Sequence, residues 1–220
     1  ASCLVGSEMC IRDRPMIDHQ LGLSLVFNGA IYNYPELRTE LQALGYQFHS
    51  DGDTEVLLKG YHAWGEQLLP KLNGMFAFAI WERDRERLFL ARDRLGIKPL
   101  YLTQDGARLR FASTLPALLQ GGGIDTGLDP VALNHYLNFH AVVPAPRTLL
   151  RGVEKLPPAS WLRLDLNGNR EQQCWWQLEF GPHRDEITLE LADWRDRVLD
   201  GLREAAVSYT HLTLPTSDLV

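Results

Sequence analysis

Four short apolar segments, residues 75–81, 88–91, 100–103 and 109–112, follow one another with little but turn signals between them. Those signals are Asp84-Arg85, Gly96 and Asp105-Gly106. Such spacing predicts neighbouring antiparallel strands, because parallel strands need long crossover connections. The first segment alternates large and small apolar residues (Phe76, Ala77, Phe78, Ala79, Ile80), the pattern of a strand packed on both faces. Residues 23–27 form an earlier apolar run that Asn28-Gly29 is expected to end in a turn. Residues 161–166 and 170–176 read as a hairpin around Asn167-Gly168.

Helical patterns lie between these strands. Pro35 opens one with Leu37, Leu41 and Leu44 on one face and Gly45 as its stop. Residues 54–64 carry Val56, Leu57, Tyr61 and Trp64 at helical spacing, and Asp53 stands where a carboxylate caps free backbone amides. Residues 114–120 and 129–139 follow, divided by Gly121-Gly122-Gly123, and residues 188–206 form an amphipathic helix. Strand blocks alternating with helix blocks imply two packed sheets flanked by helices, an α+β chain and not a βαβ repeat.

With 220 residues, 45% of them hydrophobic, the chain is long enough for a sizeable core. A net charge of -6 argues against nucleic acid as a main partner. No apolar run in the given sequence reaches the roughly 18 residues of a membrane span, and no apolar stretch of signal-peptide type, repeat or low-complexity tract is visible in it. The ends stand apart. Met9-Cys10-Ile11-Arg12-Asp13 can be encoded by ATG TGT ATA AGA GAC, whose reverse complement reads Val207-Ser208-Tyr209-Thr210-His211. Both segments are similar to translated sequencing adapters, so residues 1–14 and 207–220 are set aside as artefacts. A genuine arm and tail is the rival reading. Cys174 is then the one credible native cysteine, which fits a reducing cytoplasm.

The run Phe27-Asn28-Gly29-Ala30-Ile31-Tyr32-Asn33-Tyr34, with Gly52-Asp53-Thr54-Glu55 after it, resembles the glutamine-binding segment of class II glutamine amidotransferases. These are N-terminal-nucleophile enzymes, and asparagine synthetase is one of them. Residues 73–81 and 91–101 resemble two further blocks of that family. Residues 139–148 and 155–159 resemble the stretch that leads out of its glutaminase domain in asparagine-synthetase-like enzymes. The form Phe-His-Ala-Val-Val-Pro at residues 139–144, together with Ala30, is similar above all to N-acetylglutaminylglutamine amidotransferases.

The resemblance implies an N-terminal-nucleophile αββα sandwich of two antiparallel sheets flanked by helices, truncated at its N-terminus. Amide hydrolysis needs a nucleophile, a proton carrier and donors for the oxyanion. The family places the oxyanion hole at the side-chain amide of Asn28 and the backbone N–H of Gly29, and Asp53 on the substrate's α-ammonium. A plain turn at Asn28-Gly29 and a helix cap at Asp53 are the structural alternatives. Ala30 departs from the Glu that many relatives use on the same ammonium. The nucleophile is a cysteine at the mature N-terminus. Cys10 does not serve, since Ile11-Arg12 follows it where the family has Gly-Ile and it lies too close to Asn28. Arg92, Arg94 and Lys98 are read as an anchored turn in preference to an anion site. Trp175-Trp176 is read as hairpin packing in preference to a stacking platform, and His140 is assigned no chemistry.

Residues 15–180 are accordingly expected to be the glutamine amidotransferase domain and 181–206 the start of an ATP-dependent domain. That second domain's pyrophosphate loop, Ser-Gly-Gly-x-Asp-Ser, does not occur in the sequence. ATP and Mg are therefore expected in the synthetase domain of the intact parent, with no cofactor or metal in this part. The expected partners are glutamine, the synthetase domain and a second copy in a homodimer. The parent is expected to be a glutamine-hydrolysing amide ligase and this chain to be inactive and poorly soluble. The alternatives are a nucleophile-free glutamine-binding or structural module, or another class II amidotransferase of the glucosamine-phosphate synthase type.

Overall fold

The computed structural model describes residues 15–106, 108–181 and 189–213, with side chains to residue 206. They fall into two compact units, one reaching Trp176 and one beginning at Gln177. In the first, strands β1 (Met16–Asp18), β2 (Leu23–Ile31), β3 (Gly74–Glu82) and β4 (Arg87–Arg92) form a meander. Strands β5 (Tyr101–Asp105), β6 (Arg108–Ala112) and β7 (Glu154–Lys155) form a second sheet. The hairpin β8 (Ser160–Asp165) and β9 (Arg170–Cys174) returns to the first. The six-stranded sheet runs β1-β2-β3-β4-β8-β9 and the three-stranded sheet β6-β5-β7, with antiparallel pairing throughout.

Strand β3 shows how the layers divide. Phe76, Phe78 and Ile80 face a core shared with helices α1 (Tyr34–Ala43) and α2 (Asp53–Trp64). Ala77 and Ala79 face a second core with Leu90, Leu100, Leu102, Leu156 and Leu162, drawn from both sheets. Large side chains thus meet the helices and small ones meet the second sheet, as the alternation predicts.

Helix α1 buries Leu37 and Leu41 at 2% and 0% exposure, each gaining about 2 kcal/mol from leaving water. Leu44, expected on the same face, is 59% exposed. The helix ends at Ala43, and Leu44 is its C-cap, with its N–H on the carbonyls of Glu40 and Leu41. Helix α2 buries Val56, Leu57 and Tyr61 as expected. Helix α3 (Leu115–Leu119) is capped by Thr114, and α4 (Pro130–Asn138) by Asp129, whose Oδ1 accepts from Val131 N at 2.8 Å.

Two further expectations change. Asn28-Gly29 does not end β2, which continues to Ile31 because β3 pairs with every residue as far as Gly74. In the second unit, α5 (Leu191–Thr213) begins later than residue 188, which lies outside the described residues, and runs on past 206.

Candidate functional site

Asn28, Gly29 and Asp53 gather at one edge of the large sheet. Asn28 pairs with Ala77 and lies on the inter-sheet face of β2, half-buried. Val26, on the same face, is 36% exposed, so the inter-sheet face is open beside Asn28. The Asn28 side-chain amide has no hydrogen-bond partner among the described residues.

Gly29 is required by close backbone approach. A Cβ there would sit 2.2 Å from the Met75 carbonyl oxygen and 2.8 Å from Phe76 Cα. Gly74 answers it on β3, where a Cβ would lie 2.2 Å from the Ala30 carbonyl oxygen. Phe76, opposite Gly29, turns its peptide groups the other way. Its N–H donates to Asp93 Oδ2 at 3.1 Å and its carbonyl accepts Asp93 N–H at 2.8 Å. The alternation of an antiparallel ladder then directs the Gly29 N–H away from β3. Strand β1 pairs only with residues 23–25, so that side of β2 has no strand opposite Gly29 among the described residues.

Asp53 arrives on the same side. Its Oδ2 accepts the Ile31 N–H at 3.1 Å, while its Oδ1 has one long contact, with Thr54 Oγ1 at 3.4 Å. It is the first residue of α2, and Gly52 is the N-cap with no side-chain cap. The capping role expected of Asp53 is therefore not taken up: the carboxylate is drawn to β2 instead. A free backbone N–H at Gly29 and a part-used carboxylate at Asp53 thus flank one open strand edge.

Two neighbours escaped the sequence reading. Asn33 joins the two Asn-containing motifs, since its Nδ2 donates to Lys71 O and its Oδ1 accepts Asn73 N–H, both at 2.9 Å. Glu55 is 6% exposed and accepts the His49 and Ser50 N–H groups, the Ser50 hydroxyl and Lys59. Burial pushes its carboxyl up, but the Lys59, Ser50 and His49 hydrogen bonds outweigh this and hold it down to about 2. The Asp-Thr-Glu motif was the available signal. What it lacked was the partner, because those amides belong to the loop before α2.

Both arginines of the basic cluster are tied to the backbone. Arg92 donates to the carbonyls of Gly96, Lys98 and Leu156 at 2.6–2.7 Å. Arg94 donates to those of Pro70 and Leu72 and lies over the Trp175 ring at 5.2 Å. Burial lowers the pKa of both guanidinium groups. Trp175 stacks on Phe76 with ring centroids 6.2 Å apart and donates to Arg92 O at 3.2 Å, which is packing and not a platform. His140 is exposed, with φ of 49°. Cys174 is exposed on edge strand β9, four strand spacings or roughly 19 Å across the sheet from β2. Its thiol cannot attack a group held at Gly29.

A cleft of about 520 Å³ lies at the far end of β2, where Leu23 pairs with Glu82. Two of its guanidinium groups are tied to carboxylates, Arg87 to Glu82 at 2.6 Å and Arg163 to Glu66. The cleft touches none of Asn28, Gly29 and Asp53, so its size does not make it the site.

Residues 10–176 match the family model described as a glutamine amidotransferase domain. The chain is 40% identical over 178 residues to glutamine-hydrolyzing asparagine synthetase 1 of Bacillus subtilis, covering 81% of this chain and 28% of that protein. It is 46% identical over 144 residues to a putative glutamine-hydrolyzing asparagine synthetase of Mycobacterium bovis, covering 64% of this chain and 22% of that one. The chain thus spans less than a third of the length of these relatives. Among solved structures, glutamine phosphoribosylpyrophosphate amidotransferase of B. subtilis shares the fold, with a TM-score of 0.51 at 20% identity over 76% of this chain and 32% of that one. The two antiparallel sheets and their helices are an N-terminal-nucleophile amidotransferase fold. By its fold and by the span of sequence matched, the chain belongs to the glutamine amidotransferase domain family.

Proposed function

We propose that this chain is the glutamine-handling part of an ATP-dependent amide ligase of the asparagine-synthetase or N-acetylglutaminylglutamine amidotransferase type. The observation that carries the reading is the shared open edge of β2, with the Gly29 N–H beside the Asp53 carboxylate. In this reading Asp53 holds the α-ammonium of glutamine through its Oδ1. The Asn28 side-chain amide and the Gly29 N–H receive the oxygen that becomes negative when a thiolate adds to the side-chain amide. Such a donor lowers the barrier by roughly 2.7–4 kcal/mol because it is already oriented when charge develops.

The thiolate belongs to a cysteine at a mature N-terminus, a position that neither Cys10 nor Cys174 fills. In this proposal the chain as given binds glutamine without hydrolysing it. ATP and Mg act in a synthetase domain of the parent. Among the described residues no three His, Cys, Asp or Glu gather at metal-holding distance. No helix among the described residues is long and apolar enough to cross a membrane. A cytoplasmic homodimer is the proposed setting of the parent.

Calorimetry of the chain with glutamine and with 4-carbamoylbutanoate, which lacks the α-amine, tests the reading. The chain should prefer glutamine, and Asp53→Asn should erase that preference, a loss of about tenfold or more. An undiminished preference in Asp53→Asn overturns the assignment. Glutamine hydrolysis that Asn28→Ala abolishes would overturn the absence of turnover.

A further inference from the structure

Helix α2 begins without the side chain that usually holds a first turn. Gly52 is the N-cap and offers nothing to the amides behind it. The residue that must be held still in the proposed function, Asp53, is the first of that unsupported turn. The missing restraint is supplied from an unusual direction. Glu55, two residues on, reaches back past the cap to the loop before it. Its Oε2 accepts Ser50 N–H and Ser50 Oγ, both at 2.7 Å, and His49 N–H lies 3.0 and 3.1 Å from its two oxygens. A capping box sends the same side chain to the cap residue itself.

The loop is held from other sides as well. Lys59, one turn after Glu55, binds both Glu55 and the Gln47 carbonyl. Arg38 of α1 donates to Ser50 O at 2.7 Å, and Tyr46 Oη meets His62 Nδ1 at 2.6 Å. Only Asp51 and Gly52 separate the held Ser50 from Asp53. Glu55 and Lys59 are 6% and 5% exposed, so little water competes for their bonds.

We infer that Glu55 is a positioning residue for Asp53: by fixing His49 and Ser50 it sets the uncapped start of α2, so that the Asp53 carboxylate stays on the Ile31 N–H. This rests on the proposed glutamine role of Asp53 only for its consequence in binding. The positioning itself has its own readout, the exchange of the Ile31 amide proton, which that hydrogen bond protects.

Removing Glu55 alone strands a buried Lys59 and threatens the fold. The variant to use is therefore Glu55→Gln/Lys59→Met, which removes both charges and keeps the volume, with Glu55→Gln alone beside it. Amide exchange is followed by NMR on the full chain. The Ile31 amide should exchange about tenfold faster in the double variant, while Ile80 and Leu90 at the sheet centre stay within about twofold. Glutamine affinity should weaken by a similar factor. Unchanged Ile31 exchange, or faster exchange spread equally over Ile31, Ile80 and Leu90, overturns the inference, since the latter is general destabilisation. Selective loss at Ile31 in a chain that binds no glutamine leaves the positioning intact and overturns the glutamine reading instead.

Discussion

Replacing Gly29 by alanine tests the close approach of β2 and β3. The added Cβ would lie 2.2 Å from Met75 O, 2.8 Å from Phe76 Cα and 3.0 Å from Phe27 Cε2. Two of these atoms are backbone and cannot swing aside. Relieving the contact even to about 3 Å, the closest approach a Cβ tolerates, requires the strands to part locally by about 0.8 Å. Ladder bonds near 2.9 Å would then stretch to about 3.7 Å, beyond hydrogen-bonding range. Gly29 is flanked by the pairs Asn28–Ala77 and Ala30–Met75, whose bonds contribute about 1 kcal/mol each, so the loss is about 2–4 kcal/mol. Urea unfolding followed by tryptophan fluorescence measures it, with Trp175 stacked on Phe76 beside the substitution as reporter. A Gly29→Ala chain within about 0.5 kcal/mol of the parent, with unchanged m-value, would refute the reasoning. Such a result would mean that β2 shifts past β3 without breaking the ladder.

Acid unfolding should carry the mark of Glu55. Its pKa falls from 4.5 to about 2 on folding, so its contribution is complete above the unfolded value and disappears as pH drops through the folded one. The difference corresponds to about 3 kcal/mol. The Glu55→Gln/Lys59→Met chain should lose less stability than the parent between about pH 5 and pH 2.5, and parallel losses would show the pairing to be without effect. Asp93→Asn should destabilise by about 2–4 kcal/mol, because one carboxylate oxygen becomes an NH₂ group facing two backbone donors. A thermal midpoint equal to the parent's would contradict that.

Much of the fold was legible because its signals are local. Alternating side chains in residues 75–81 marked both faces of β3, and the helical pattern of residues 114–120 and 129–139 placed α3 and α4 to within a residue. Arg92 and Arg94 anchor backbone carbonyls around the turn that Gly96 marks, as the anchored-turn reading expects. Failures arose where a partner distant in sequence decides. Asn28-Gly29 is a turn signal on its own, but β3 lies alongside and extends it as strand. Asp53 has the position of a cap, but the Ile31 amide, 22 residues earlier, takes its carboxylate. Strands β1 and β7, of three and two residues, are too short to show a period.

Asp93 carries a consequence for how the first unit comes apart. Its Oδ2 holds Phe76 N–H in the large sheet and Lys98 N–H in the segment leading to the small one. Its Oδ1 holds Leu95 and Ile97, and its own carbonyl receives Ala159 N–H just before β8. One residue, 1% exposed, thus fastens the point where the chain leaves one sheet to the point where it enters the other and the point where it comes back. A seam between two sheets is the natural place for partial opening, with one layer melting before the other. One carboxylate thus ties Phe76 of the large sheet to Lys98 of the turn that leads into the small one, so opening at either end loosens the other. The two sheets should therefore open together, with exchange rates in β5 following those in β3 as denaturant is raised.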